Sequence, residues 1–250
     1  MQPHQFNASS STLQNKIILI TGAGDGIGKQ AALTFAKHGA EVILLGKTVK
    51  KLEAVYDEIV AAGYTEPGII PLDIAGATAQ HYQAMGAMLI DQYGRLDGVL
   101  HNASVLGHLC PFNQITPEEF AEVMQVNVTG QFLLTQGVLP ALQKSPQGSI
   151  IFTTSSVGRK GRAFWGTYSI SKFATEGMMQ VMACEYANST IRVNCLNPGA
   201  TATKMRGSAF PAEDPKLLST PLDIMPSYLY LMSDESVNIN GQSIDCQPSK

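Results

Sequence analysis

The sequence predicts an α/β fold: one doubly wound sheet of seven parallel strands with helices on both faces. Three observations carry that expectation. Short runs rich in Val, Ile and Leu recur without polar alternation, the pattern of strands buried on both faces. Longer helical stretches separate these runs, and such alternation builds a parallel sheet with right-handed connections. No linker, low-complexity tract or internal repeat interrupts the pattern. Residues 13–250 therefore read as a single domain behind a loose polar tail, 1–12.

The first strand, 16–20, runs directly into Thr21-Gly-Ala-Gly-Asp-Gly-Ile-Gly28, and a helix continues over 27–38. Glycines between a strand and a helix let the backbone approach a pyrophosphate, whose charge meets the N–H groups of the helix start. A tight connection without a ligand is the plainer reading of the same glycines. The second strand covers 41–45, with a helix over 49–62 ending at Gly63, and the third covers 68–72 and closes on Asp73. A helix over 78–93 stops at Gly94 before the strand 97–101. Pro117 opens a helix reaching 142, with Thr116 as N-cap and Glu118 and Glu119 complementing its dipole. Strand 148–154, helix 167–187, strand 191–196, helix 221–232 and strand 243–246 follow. The least regular stretch, 198–220, is rich in Gly, Pro and Ser. It leaves the carboxyl edge of the sheet, where ligands bind in such folds, and is expected to act as a substrate lid.

Formal net charge is −3 and 44% of residues are apolar, values of a soluble globular chain with an ample core. Lys and Arg neither exceed the acids nor cluster along one segment, which argues against a nucleic-acid partner. No run reaches the ~18 apolar residues of a membrane span, and the first residues lack the apolar core of a signal peptide. Cys110, Cys184, Cys195 and Cys246 stand far apart, with no CxxC and no nearby His pair. Free thiols in a cytoplasmic protein are expected, and no metal site.

The chemistry centres on Tyr168-Ser-Ile-Ser-Lys172. Four residues of spacing bring both side chains to one helix face, where an ammonium would lower the phenol's pKa from about 10. A phenol so tuned exchanges a proton with a substrate hydroxyl near neutral pH. Alone, the spacing is equally that of an exposed helix with a solvated lysine. Ser155 could simply cap a turn, Asn127 could face water from its helix, and Asp73 could close its strand.

Their joint occurrence points further. Thr21-Gly-x-x-x-Gly-x-Gly28, Asp73, Asn102-Ala103, Asn127, Ser155, Tyr168-x-x-x-Lys172 and Pro198-Gly199 resemble, in order and spacing, the short-chain dehydrogenase/reductase family over nearly the whole chain. Ser155-Ser-Val-Gly-Arg-Lys-Gly161 and Lys172-Phe-Ala-Thr-Glu-Gly-Met-Met179 also resemble the YciK-type group of bacterial oxidoreductases. The resemblance implies a Rossmann-type sheet and a catalytic tetrad of Asn127, Ser155, Tyr168 and Lys172. Tyr168 would be the general acid or base, Lys172 its pKa modifier and ribose ligand, and Ser155 the holder of the substrate oxygen. Asn127 would anchor a water linking Lys172 to solvent. Cofactor contacts would come from Gly22, Asp25, Gly26, Ile27 and Gly28, from Asp73 and Ile74, and from Asn102, Ala103 and Ser104. Tyr168, Lys172, Pro198, Gly199, Thr201 and Thr203 would complete them.

Two departures from the family pattern matter. The family usually has Asn-Asn-Ala-Gly after its fourth strand, whereas this chain has His101-Asn-Ala-Ser104, which brings a Cβ close to the cofactor. His101 itself reads as a core histidine. Secondly, an NAD-specific site needs an acid at the end of strand two, yet that strand ends Leu45-Gly-Lys47-Thr48. Lys47 would attract a 2′-phosphate and Thr48 could add a contact, so NADP(H) is expected over NAD(H). A solvated loop lysine is the plainer alternative, and Asp25 adds an unhelpful negative charge.

The expected function is an NADP(H)-dependent carbonyl/alcohol oxidoreductase. The alternatives are a nucleotide-sensing module without turnover, or the same enzyme using NAD(H). Leu106, His108, Phe164, Trp165, Met205 and Phe210 would wall a largely apolar pocket for a small-molecule ketone, aldehyde or quinone. Arg159, Lys160 and Arg162 read as a solvated basic face. Assembly through the helices carrying Asn127 and Tyr168, as the family does, implies a homodimer or homotetramer.

Overall fold

Alternate residues of the central strands enter opposite cores. Ile18 and Ile20 face one side of the sheet while Ile17 and Leu19 face the other, and Val42 and Leu44 oppose Ile43 and Leu45 in the same way. Burial on both faces is the reason these strands lack polar alternation. In the computed structural model, residues 2–248 are described; Met1 of the expected tail and residues 249–250 of the expected domain lie outside them. The strands are β1 (Ile17–Thr21), β2 (Glu41–Gly46), β3 (Gly68–Pro71), β4 (Gly98–His101), β5 (Gly148–Thr153), β6 (Ile191–Asn197) and β7 (Ser243–Asp245). All pair in parallel in the order β3-β2-β1-β4-β5-β6-β7. The expected seven-stranded, doubly wound Rossmann-type sheet is present.

Helices α1 (Gly26–Lys37), α2 (Val49–Ala61) and α8 (Met225–Met232) cover one face. Helices α3 (Ala79–Tyr93), α5 (Gly130–Leu142) and α6 (Gly166–Glu185) cover the other. The strand order reverses between β1 and β4, opening a crevice at their carboxyl ends.

Three features differ from the expectations. The helix over 117–142 is not continuous: α4 (Pro117–Met124) and α5 are joined by a π-helical turn, Gln125–Thr129, that holds Asn127. The amino-terminal segment makes contacts with the domain. Pro3–Gln5 forms a 3-10 turn, Phe6 packs on Tyr230 of α8 with ring centroids 5.4 Å apart, and Leu13 is fully buried. Apolar side chains within a polar stretch cover the end of α8. The stretch 198–220 contains a short helix, α7 (Lys204–Ala209), and a bridge between Thr201 and Ser219.

Candidate active site

The glycine turn is shaped by steric necessity. Gly22 has φ 67°, and a Cβ on Gly28 would fall 2.2 Å from the Gly22 carbonyl oxygen, so the first turn of α1 presses directly on the loop. Asp25 caps α1, its Oδ1 accepting from Gly26 N at 2.9 Å. Its Oδ2 accepts from Lys51 at 2.7 Å and from Lys204 at 2.8 Å. These two ammonium groups hold the carboxyl well below the usual carboxylate range. The charge expected to oppose an anion is thus compensated, and Lys204 ties α7 to the glycine turn.

The opposite wall is equally fixed. Thr21 Oγ1 accepts from the backbone N–H of Asn102 and of Ala103, both at 2.9 Å. Asn127, fully buried, accepts from Val105 N and donates to Val105 O, each at 2.9 Å, and donates to Ser171 Oγ at 3.0 Å. Its amide is committed to the 102–105 loop and to α6. The π-helical turn is what aims it there.

On the reacting side, Ser155 caps a 3-10 turn after β5, while Tyr168 and Lys172 lie one turn apart on α6. Both are buried. The ammonium makes no hydrogen bond to the phenol, contrary to the expected pairing. Lys172 Nζ donates to the Thr153 carbonyl at 2.8 Å and stands 5.4 Å from the Tyr168 ring centroid. Burial dominates both groups, raising the phenol to about 12 and lowering the ammonium to about 8. The Ser104 side chain pulls the phenol weakly the other way.

These elements enclose a cavity of about 320 Å³. Of the sequence-predicted residues it gathers Gly22, Asp25, Gly26 and Ile27; Asn102, Ala103 and Ser104; Ser155, Tyr168 and Lys172; and Pro198, Gly199, Thr201 and Thr203. Gly28 and Asn127 stand behind this wall as supports. Lys47 and Thr48 are exposed at the exit of β2, outside the cavity, and the Thr48 side chain makes no capping bond to α2. Asp73 is also outside. Its Oδ1 accepts from Ala75 N at 3.1 Å, a turn-closing role, and Ile74 is buried beside Gly130.

Leu106, Trp165 and Met205 line the cavity as expected, but His108, Phe164 and Phe210 do not. His108 pairs with Glu119 at 3.2 Å, Phe164 is exposed, and Phe210 packs behind Trp165 and under the Arg206 guanidinium at 3.8 Å. Thr153, Thr154, Asn197, Lys204, Arg206 and Ala209 also line it and were missed. One signal was available: Thr203 accepts from Arg206 N as an N-cap, and Thr-Lys-Met-Arg in the sequence could have announced α7.

Within the basic cluster Lys160 and Arg162 are exposed, as read from the sequence, whereas Arg159 is paired. Arg159 donates to Asp245 through two nitrogens, at 3.0 and 3.2 Å, and its Nε stands 3.5 Å from buried Glu176. Asp245 Oδ1 also accepts from Asn197, whose own Oδ1 accepts from Gly199 N. His101 is the core histidine expected, stacked on Phe152 and bonded to Thr135, with burial holding its pKa at about 3.

A Rossmann-type sheet with a glycine turn at its switch point and Ser, Tyr and Lys facing one crevice defines a class of nucleotide-dependent oxidoreductases. The short chain dehydrogenase family matches residues 16–214, and the chain belongs to that family. It is 51% identical to the uncharacterized oxidoreductase YciK of Escherichia coli K12 over 98% of this chain and 97% of the relative. It is also similar to a solved short chain dehydrogenase of Escherichia coli CFT073 complexed with NADPH. That structure has 52% identity and a TM-score of 0.94 over 96% of this chain and all of the other. A short chain dehydrogenase of Shigella flexneri complexed with NADP gives the same identity, TM-score and coverage.

Proposed function

We propose that this protein is an NADP(H)-dependent oxidoreductase that interconverts a carbonyl group and a secondary alcohol. The observation that carries the reading is the convergence of Ser155, Tyr168 and Lys172 on the cavity bounded by the glycine turn and α7. The residues present fit a dinucleotide. The glycine turn presents bare backbone to the cavity at Gly22 and Gly26, and α1 begins there with its free N–H groups, which suits a pyrophosphate. No acid ends β2, Lys47 and Thr48 are exposed beside the α2 amino terminus, and two relatives hold NADP or NADPH.

When bound, NADP(H) supplies or accepts the hydride. The chain's own residues do the rest. Ser155 holds the substrate oxygen by a hydrogen bond that strengthens as charge develops on it. Tyr168 donates its proton to that oxygen in reduction and removes it in oxidation. Lys172 would stabilise the phenolate through its positive charge and would hold a ribose hydroxyl of the cofactor. Asn127 keeps the 102–105 loop seated. Leu106, Trp165, Met205 and Ala209 give the substrate end of the cavity an apolar wall. Arg206, at its rim, is neutralised by Glu213 through bonds of 2.6 and 2.7 Å. A carbonyl on an apolar or ring-bearing frame suits that lining better than an anion.

Replacing Tyr168 by Phe tests the reading. Ketone-dependent NADPH oxidation should fall at least ~10³-fold, while quenching of Trp165, which borders the cavity, should still report NADPH binding. Wild-type protein should bind NADPH more tightly than NADH. Undiminished turnover in the variant would sink the assignment of Tyr168.

A further inference from the structure

Ser104 stands where the family usually has glycine. Its neighbours are pinned on both sides, Ala103 N to Thr21 Oγ1 at 2.9 Å and Val105 N and O to the Asn127 amide at 2.9 Å. The backbone between them is therefore held, and with it the direction of the Ser104 side chain. That side chain lines the cavity, and its Oγ is buried without a hydrogen-bond partner. A buried hydroxyl left unpaired is costly unless a partner arrives. Tyr168 lines the same cavity, and the Ser104 side chain draws its phenol towards the ionised form.

We propose that Ser104 is a positioning residue for the reaction, its hydroxyl donating a hydrogen bond to the Tyr168 oxygen and steadying it as phenolate. The proposal rests on the assignment of Tyr168 as proton donor and acceptor. In reduction the Tyr168 O–H bond breaks and its proton goes to the substrate oxygen, while Ser104 keeps its own proton and points it at the phenolate left behind. Lys172, one turn along α6 from Tyr168, gives its hydrogen bond to the Thr153 carbonyl. The other groups facing Tyr168 are Ser155 from the end of β5 and the buried Tyr228 hydroxyl of α8; Glu176 and Cys195 lie beyond, against Lys172. All are shared by any Ser104 variant, so a shift specific to the variant belongs to Ser104.

The test compares wild type with Ser104→Ala, which keeps Cβ and loses only the hydroxyl, and Ser104→Gly, the family's usual residue. Cyclohexanol oxidation with NADP⁺ requires phenolate, so activity rises with pH. The midpoint of kcat/KM should move up by about one pH unit in both variants. Coincident midpoints overturn the proposal, as does a shift in Ser104→Gly alone, which would assign the effect to Cβ. A second readout needs no turnover. With ¹³Cζ-tyrosine labelling, the Tyr168 resonance, identified by its loss in Tyr168→Phe, should move at pH 8 in both variants while the other tyrosines stay. An unmoved resonance overturns the contact whatever the kinetics show. A wild-type protein inactive on every carbonyl and alcohol tried would instead remove the assigned function and leave the resonance to decide on Ser104.

Discussion

Lys172 is almost completely buried, with one backbone carbonyl as its hydrogen-bond acceptor. Its folded pKa of about 8 lies below the ordinary 10.5, so the native state binds fewer protons than the unfolded one between those values. The penalty is full below pH 8, shrinks as pH rises, and is gone above about 10.5. A shift of this size corresponds to about 3 kcal/mol, and losing the bond to Thr153 O would offset about 1 kcal/mol of the relief. Lys172→Met should therefore stabilise the cofactor-free protein at pH 7 by about 2 kcal/mol, raising Tm by several degrees. Thermal melts at pH 7 and pH 10 check this, with the gain much smaller at pH 10. Equal Tm values at pH 7 would mean the buried ammonium carries no such cost. At this scale the sequence named the right atoms but not their state. The four-residue spacing of Tyr168 and Lys172 was legible, whereas the carbonyl that captures the ammonium comes from β5, nineteen residues away. Asp25 shows the same limit: its negative charge was visible, but its partners Lys51 and Lys204 are brought by two other elements.

Among elements, the Ser155 turn is held by a guanidinium behind it. Arg159 ends that turn and reaches Glu176, one helical turn past Lys172, and Asp245 on β7. Asp245 and Asn197 extend the link to Gly199, on the rim of the cavity. One side chain thus couples the serine turn, the tyrosine helix and the β6 exit. Arg159→Leu removes the guanidinium from buried Glu176, which keeps the Ser243 hydroxyl as a donor, and should cost about 2 kcal/mol of stability. It should also lower kcat about tenfold or more with a smaller change in KM, because binding surfaces remain while the reacting groups lose register. Arg159→Lys, which keeps the charge but not the fork, should fall between. Denaturant unfolding together with steady-state kinetics would measure both, and wild-type values in Arg159→Leu would return this residue to the solvated face read from the sequence. The strands were legible because burial on both faces removes polar alternation. The π-helical turn and Arg159 were not, because each depends on where a second element lies: the Val105 loop for Asn127, β7 for Arg159.

For the whole molecule, five of the large apolar side chains left exposed among the described residues lie on α4, α5 and α6. The inner face of α6 carries Tyr168, Lys172, Thr175, Met179 and Met182, all buried. Its outer face presents Ile170, Phe173 and Val181, and Phe120 on α4 and Phe132 on α5 are exposed as well. Large apolar side chains on neighbouring helices are costly to leave in water. A second copy turning the same helices inward would cover them through a self-complementary, two-fold contact. We propose that the protein is a homodimer or homotetramer through this face. It bears on the site, because α6 carries Tyr168 and Lys172 and the turn after α4 carries Asn127, so a partner on their outer faces would stiffen the helices that position the reaction. Sedimentation should give a particle at least twice the 26.8 kDa chain at micromolar concentration. Phe132→Glu combined with Phe173→Glu should shift it to monomer while leaving the far-ultraviolet circular dichroism unchanged, since neither ring is part of the core. Activity should then fall with dissociation and recover at high protein concentration. A wild-type monomer would sink the proposal, and a double variant that stays assembled would move the interface to another face.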